Sequence, residues 1–222
     1  MANATRKSVL IFGSNGSIGG QCKEILSRNQ NVWTCGHDLV ELSNTVKSID
    51  SLDGVIWAQG LNTNDSIFSF DFPNFSKIFE ANVSFILKSI DVLLRENKLR
   101  RGSQLVVVSS IWNGLSRPNK LSYSISKSAI NGLVRSIATD LGSSGISINS
   151  VSPGPIDSTM TRAALSESDL NRIISETPQG KLVSLSQVAE VVCLLAEGKL
   201  SGLHGQDLII DGGWGFSKLV SN

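Results

Sequence analysis

Apolar residues in this chain follow two alternating patterns. One is a short unbroken run. The other is a longer stretch in which apolar positions recur every three or four residues. Ser8-Val9-Leu10-Ile11-Phe12, Val32-Trp33-Thr34-Cys35, Gly54-Val55-Ile56-Trp57-Ala58, Leu105-Val106-Val107-Val108, Ile146 to Val151 and Leu208-Ile209-Ile210 are runs of the first kind. Such runs predict buried strands of a parallel sheet. The second pattern predicts helices. One follows the first strand, with Ile18, Cys22, Ile25 and Leu26 on one face. A long one spans 74–97, with Phe75, Ile78, Phe79, Val83, Ile86, Ile90, Leu93 and Leu94 at helical spacing. Others span 122–141, the polar stretch 158–175, and 186–197. Strands alternating with helices predict a doubly wound α/β fold with a parallel sheet covered on both faces.

Length and composition narrow this picture. The chain has 222 residues and 41% hydrophobic content, which predicts one domain, 1–222, with a sizeable core. No internal repeat, linker or low-complexity segment interrupts it. The formal charge is +1, from 20 basic and 19 acidic residues, so bulk charge does not indicate a nucleic-acid surface. No apolar run reaches the ~18 residues of a membrane span. The polar start, Met1 to Lys7, leaves no room for a signal peptide. Cys22, Cys35 and Cys193 are too scattered for a disulfide frame or a zinc site. A reducing cytoplasm fits these features. His37 and His204 are the only histidines, so neither a histidine metal site nor a Ser-His-Asp triad is expected.

Two local motifs carry chemistry. Tyr123, the only tyrosine, stands four residues before Lys127, and on a helix the two side chains share a face. A neighbouring cation favours the phenolate, so the phenol is expected to titrate below its usual value of about 10. That tuning suits general acid–base work. The spacing alone is weak, since surface packing also produces it. The second motif is the turn Gly13-Ser14-Asn15-Gly16-Ser17-Ile18-Gly19-Gly20, between the first strand and a helix start. Glycines admit close approach of a pyrophosphate, and the helix N-terminus offers unpaired N–H groups and a positive dipole end. An ordinary tight turn would have the same composition.

The turn, Ser110 thirteen residues before Tyr123, Tyr123-x-x-x-Lys127 and Pro153-Gly154 occur in the order that resembles the short-chain dehydrogenase/reductase family, over nearly the whole chain. The family's Gly-x-x-x-Gly-x-Gly falls on Gly13, Ser17 and Gly19, with Ser17 replacing the middle glycine and Gly16 just before it. Its Asn-Asn-Ala-Gly becomes Trp57-Ala58-Gln59-Gly60. Its helix asparagine falls on Asn82, and Pro153-Gly154-Pro155-Ile156 matches the nicotinamide-side loop, with Ser158 where threonine is usual. Asp211-Gly212-Gly213-Trp214 resembles the C-terminal signature. The chain is shorter than most of the family. Cys35 to Leu42 leaves no room for a helix, so the crossover between strands two and three is read as deleted. Strand three is expected around Val40 to Leu42, short or irregular, and the adenine end should be more open than usual.

The resemblance implies hydride transfer between NAD(P)H and a carbonyl or alcohol. Tyr123 would donate the proton, Ser110 would hold the carbonyl oxygen, and Lys127 would hold the cofactor ribose and lower the Tyr123 pKa. Asn82 would anchor a water linking Lys127 to solvent. Gly13, Asn15, Gly16, Ser17, Ile18, Gly19, His37, Glu41, Leu42, Ala58, Gly60, Asn82, Tyr123, Lys127, Pro153, Gly154, Ile156 and Ser158 are the expected cofactor contacts, Glu41 and Leu42 at adenine. NAD-binding members carry an acidic residue at the end of strand two. Gly36 stands there, followed by His37, so the sequence leans to NADP over NAD. The loop 158–180, including Met160, Ala163, Ala164 and Leu165, should shape the substrate pocket with Trp112 and Leu115. Asn149 reads as structural, and Cys35 and Cys193 as core packing.

The first expectation is a reductase of a carbonyl substrate, with a 3-oxoacyl thioester as a candidate. A sugar or other small alcohol is the alternative, and a non-catalytic dinucleotide sensor is the reading from another class. Lys98, Arg100 and Arg101 form a small basic cluster. It reads first as a solvated helix end and second as a docking patch for an acidic acyl carrier protein. The helices 74–97 and 122–141, with Phe75, Phe79 and Phe85 to cover, predict a homodimer or homotetramer.

Overall fold

The computed structural model describes residues 6–158, 161, 162 and 165–217. Six strands form one parallel sheet: β1 (Ser8–Phe12), β2 (Asn31–Cys35), β3 (Leu52–Trp57), β4 (Leu99–Val108), β5 (Ser147–Pro153) and β8 (Asp207–Ile210), in the order β2-β1-β3-β4-β5-β8. Every pairing in it is parallel. The two-residue strands β6 (Ile156–Asp157) and β7 (Val183–Ser184) pair separately. Strand order reverses at β1, whose neighbours β2 and β3 both follow it in the chain. Open α/β sheets bind ligands at the carboxyl ends of strands beside such a reversal.

Helices cover both faces because strand residues alternate between them. Leu10 and Phe12 face one layer, with α2 (Leu39–Val46), α4 (Phe85–Arg95) and α5 (Leu121–Leu141). Val9 and Ile11 face the other, with α1 (Ser17–Ser27) and α7 (Leu185–Ala196). Two further helices, α3 (Phe72–Phe79) and α6 (Glu167–Glu176), lie on the chain before α4 and before α7. Trp57, fully buried, stacks on Phe12 at 5.7 Å and gives its indole N–H to Ser89 Oγ at 2.8 Å. A family asparagine position is thus occupied by a core side chain. Cys22, Cys35 and Cys193 are buried free thiols. Asn149 bonds the Leu203 carbonyl at 2.9 Å and the Gln206 N–H at 3.0 Å, a structural role.

Three expectations need correction. Val40 to Leu42 is not a strand. Asp38 caps a helix there, accepting from Val40 and Glu41 N–H at 2.7 and 2.8 Å. Leu42 and Val46 then fall on its buried face. Cap and spacing together favour a helix over a strand. The short α2 is itself the crossover to β3, and β2 is left as the sheet's edge strand. The long helix 74–97 is instead α3, one π turn (Glu80–Ser84) and α4. Finally, Phe85 is 2% exposed: it meets Phe12 edge-on at 5.4 Å and belongs to the core.

The basic cluster is a helix end only in part: the Lys98 N–H closes the end of α4 on the Leu93 carbonyl at 2.9 Å, while Arg100 and Arg101 lie in β4. Arg100 pairs with Asp53 at 2.6 Å, Arg101 donates to the Ser143 carbonyl and Lys98 to the Ile49 carbonyl. Arg100 and Arg101 sit at the start of β4 and Lys98 just before it, at the opposite end of that strand from Ser110. No described helix is long and apolar enough to cross a membrane.

Candidate active site

The glycine turn is built by contact. Gly13 has φ +77, and a Cβ there would fall 2.5 Å from the Gln59 backbone nitrogen. A Cβ on Gly19 would fall 2.2 Å from the Gly13 carbonyl oxygen. Neither position admits a side chain. Ser17 begins α1, where no such collision arises, so replacing the family's middle glycine leaves the close contacts intact. No side chain caps the first turn of α1, so its N–H groups remain directed at the groove.

At the end of β4, Ser110 caps a short helical turn, its Oγ accepting from the Trp112 N–H at 3.4 Å. The Ser110 side chain also lies near enough to the Tyr123 phenol to lower its pKa. Tyr123 and Lys127 come from the first two turns of α5, on one face as their spacing requires. Lys127 is 4% exposed; its Nζ donates to the Val108 carbonyl at 3.1 Å and lies over the Tyr123 ring, 5.7 Å from its centre.

Asn82 lies in the π turn, a distortion that often marks functional positions. Its Oδ1 accepts from Leu61 N–H at 2.7 Å. Its Nδ2 donates to the Leu61 carbonyl and to Ser126 Oγ, both at 2.9 Å. Ser126 in turn donates to the Tyr123 carbonyl at 2.8 Å. The amide therefore ties the segment after β3 to the helix that carries Tyr123. Asp65 makes a second tie, accepting from the Ser122 N–H at 3.1 Å and from its hydroxyl.

Electrostatics differ from the sequence expectation. Burial pushes the Tyr123 phenol above its usual value, and the nearby Ser110 side chain pulls it back only in part. Burial lowers Lys127 to about 8. Desolvation of both groups outweighs the pull of one on the other.

A cavity of about 370 Å³ joins these parts; Gly16, Ser17, Ile18, Ala58, Gly60 and Ser110 line it. Tyr123, Lys127, Pro153, Gly154, Ile156 and Ser158 also reach it. A second cavity of about 470 Å³ lies beyond the turn, against Gly13, Asn15, His37 and Glu41. The expected cofactor contacts thus gather in one groove, with three exceptions that line neither cavity: Gly19 and Asn82 are buried behind it, and Leu42 is fully buried in the core, on the inner face of α2.

Gln59 escaped the sequence reading. It lines both cavities, and both polar atoms of its buried amide lack a partner. A long amide in the alanine place of the strand-end motif was the available signal. Trp112 packs edge-on against Trp214 at 5.8 Å and is not in the wall of the 370 Å³ cavity. Leu115 lines a neighbouring cavity of about 610 Å³, with Arg117 and Lys120. Met160, Ala163 and Ala164 lie outside the described residues; Ser158 and Thr161 of this loop line the 370 Å³ cavity.

The family described as Enoyl-(Acyl carrier protein) reductase matches residues 38–215. The chain is 25% identical over 172 residues to the 3-oxoacyl-(acyl-carrier-protein) reductase FabG of Salmonella typhimurium, covering 78% of this chain and 70% of that one. It is 27% identical over 187 residues to the cyclopentanol dehydrogenase of a Comamonas species, covering 84% and 73%. A short-chain dehydrogenase family protein of Francisella tularensis superposes with a TM-score of 0.84 at 25% identity, covering 95% and 99%. A gluconate 5-dehydrogenase of Burkholderia cenocepacia, in complex with NADP and tartrate, shares the fold at TM-score 0.86 and 16% identity, covering 96% of each chain. The chain belongs to the short-chain dehydrogenase/reductase family.

Proposed function

We propose that this chain is an NAD(P)H-dependent oxidoreductase that interconverts a carbonyl and a secondary alcohol, with Ser110, Tyr123 and Lys127 as its catalytic group. The observation that carries the reading is that Ser110, Tyr123 and Lys127 line one cavity together with Gly16, Ser17 and Ile18 of the glycine turn. The residues suit a dinucleotide: a turn whose glycines leave no room for Cβ atoms, an uncapped helix start, and the unpartnered Gln59 amide. Gly13, Gly16, Ser17, Ile18 and Gly19 would hold the pyrophosphate, Lys127 the nicotinamide ribose, and Pro153, Gly154 and Ile156 the carboxamide side.

When bound, the reduced nicotinamide supplies the hydride. Ser110 directs its hydroxyl at the carbonyl oxygen and holds it beside the phenol. Tyr123 gives that oxygen its proton as negative charge develops there. A phenol kept protonated by burial is ready as the acid. Lys127, charged below about 8, stabilises the phenolate that remains. Asn82 positions Tyr123 through Ser126 and Leu61. A buried lysine costs stability, which a sensor without chemistry has no need to bear.

A 3-oxoacyl thioester on an acyl carrier protein is the first substrate. A FabG of Rickettsia felis aligns with 96% of this chain at 25% identity, and that support is for the class alone. The cyclopentanol dehydrogenase relative supports a small secondary alcohol as the alternative. Oxidation of NADPH and NADH, followed by absorbance with 3-oxoacyl thioesters, ketones and sugars, tests the reading. Turnover of at least one carbonyl is expected. No turnover of any, with dinucleotide bound, would support the sensor instead.

A further inference from the structure

We propose that Glu41, from the first turn of α2, is the residue that receives the adenosine ribose hydroxyls and restricts this chain to NADH over NADPH. The inference rests on the dinucleotide reading above and fixes which dinucleotide is used.

The second cavity shares Gly13 and Asn15 with the glycine turn and Gln59 with the catalytic cavity, so it is the far part of the same groove. At its outer wall the Glu41 carboxylate lies on the tip of β2. One oxygen accepts the Gly36 N–H at 3.1 Å. A Cβ on Gly36 would fall 2.6 Å from the other oxygen, so glycine at this place makes room for the carboxylate. In a dinucleotide-binding βαβ unit, an acidic group about 20 residues after the glycine turn binds the ribose 2′-hydroxyl. Glu41 comes 22 residues after Gly19 (41 − 19) and brings its carboxylate back from the helix to the strand end. The sequence shows glycine at the end of β2 and hides this substitution of one residue for another.

The surroundings oppose a 2′-phosphate. Among the described residues, no lysine or arginine lines this cavity. Asp38 adds a second carboxylate, held at the start of α2 by its bonds to the Val40 and Glu41 N–H groups. Cys35 registers the field: its thiol is pushed up to about 11, by burial first and then by Glu41 and Asp38. His37, the one candidate cation here, lies with its ring against Phe85, centroids 3.9 Å apart. A phosphate at Glu41 would meet like charge with no guanidinium to hold it. The carboxylate that the sequence reading found missing is therefore present, and the lean to NADP loses its premise.

Titration calorimetry of the whole chain with NADH and with NADPH tests this, on the wild type and on Glu41→Gln. The glutamine keeps an acceptor for the Gly36 N–H, and thermal melting checks that the variant folds. Wild type is expected to bind NADH at least about tenfold tighter, and Glu41→Gln to bring the two within about threefold. Equal or tighter NADPH binding by the wild type would overturn the inference and leave the oxidoreductase reading standing. So would an unchanged ratio in the variant. Binding of neither dinucleotide would end both. If Glu41→Gln does not fold, the wild type's affinity for 5′-AMP against adenosine 2′,5′-bisphosphate decides: weaker bisphosphate binding supports the inference, and tighter binding refutes it.

Discussion

The Lys127 ammonium lies over the face of the Tyr123 ring, 5.7 Å from its centre, and donates to the Val108 carbonyl at 3.1 Å. The cation is thus fixed from the strand side, while the phenol shares a cavity wall with Ser110. The cation is held by a partner other than the phenol, so replacing Tyr123 leaves Lys127 in place. Their contributions are therefore separable by mutation.

Tyr123→Phe is expected to lower kcat by about 10²–10⁴-fold, since a positioned general acid is worth that much. The ring still packs, so dinucleotide affinity should be unchanged in a direct titration. Retention of more than about a tenth of the wild-type rate would remove Tyr123 from the role of acid.

Lys127→Met should abolish turnover and yet stabilise the fold. Burial lowers Lys127 from 10.5 to about 8, so the charged form disfavours the folded state. The sign follows from proton binding. Between about 8 and 10.5 the unfolded chain holds more protons at this site, so wild-type stability from this group rises with pH across that window. The advantage of methionine is therefore full below about 8 and fades towards 10.5. Roughly 1–3 kcal/mol is expected at neutral pH, after allowing for the Val108 carbonyl left without its donor. Denaturant melts at pH 7 and pH 10 give the comparison. A variant less stable at pH 7, or an advantage that grows with pH, would contradict it.

Gly19→Ala should damage the phosphate turn. The added Cβ would fall 2.2 Å from the Gly13 carbonyl oxygen, a backbone atom that cannot swing away. Overpacking of this kind costs about 1–3 kcal/mol. Thermal melting should show the loss, and dinucleotide affinity should fall with it. Gly132→Ala is the control, since nothing lies within 4 Å of a Cβ there. Equal behaviour of the two variants would deny the turn its tight geometry.

Self-association is expected through α4 and α5. Leu87 and Leu94 on α4 and Ile125 on α5 are 47%, 39% and 42% exposed. Phe85, offered by the sequence for this purpose, is spent on the core. Light scattering should report a dimer or tetramer, and Leu87→Glu with Ile125→Glu should shift it towards monomer. A wild-type monomer at about micromolar concentration, where obligate interfaces persist, would refute this.

The alternation of buried strands with helices, and the order of Gly13 to Gly19, Ser110, Tyr123, Lys127 and Pro153-Gly154, were legible in the chain. These features depend on spacing along one element, and period and spacing survive in a string of letters. Helical geometry alone puts Tyr123 and Lys127 on one face. Tertiary structure decided what depends on contacts between elements. Whether the phenol's pKa falls or rises turns on how far water is excluded, and that burial comes from α5 packing on the sheet. Asn82 became a tie to Leu61 and Ser126 because a π turn met a strand end. Val40 to Leu42 became a helix because Asp38 could cap it and the core could receive Leu42 and Val46. The acidic group at the tip of β2 came from Glu41, five residues beyond the strand position where it is sought (41 − 36). A carboxylate on a short helix can reach back to a neighbouring backbone N–H, and only the fold shows that it does.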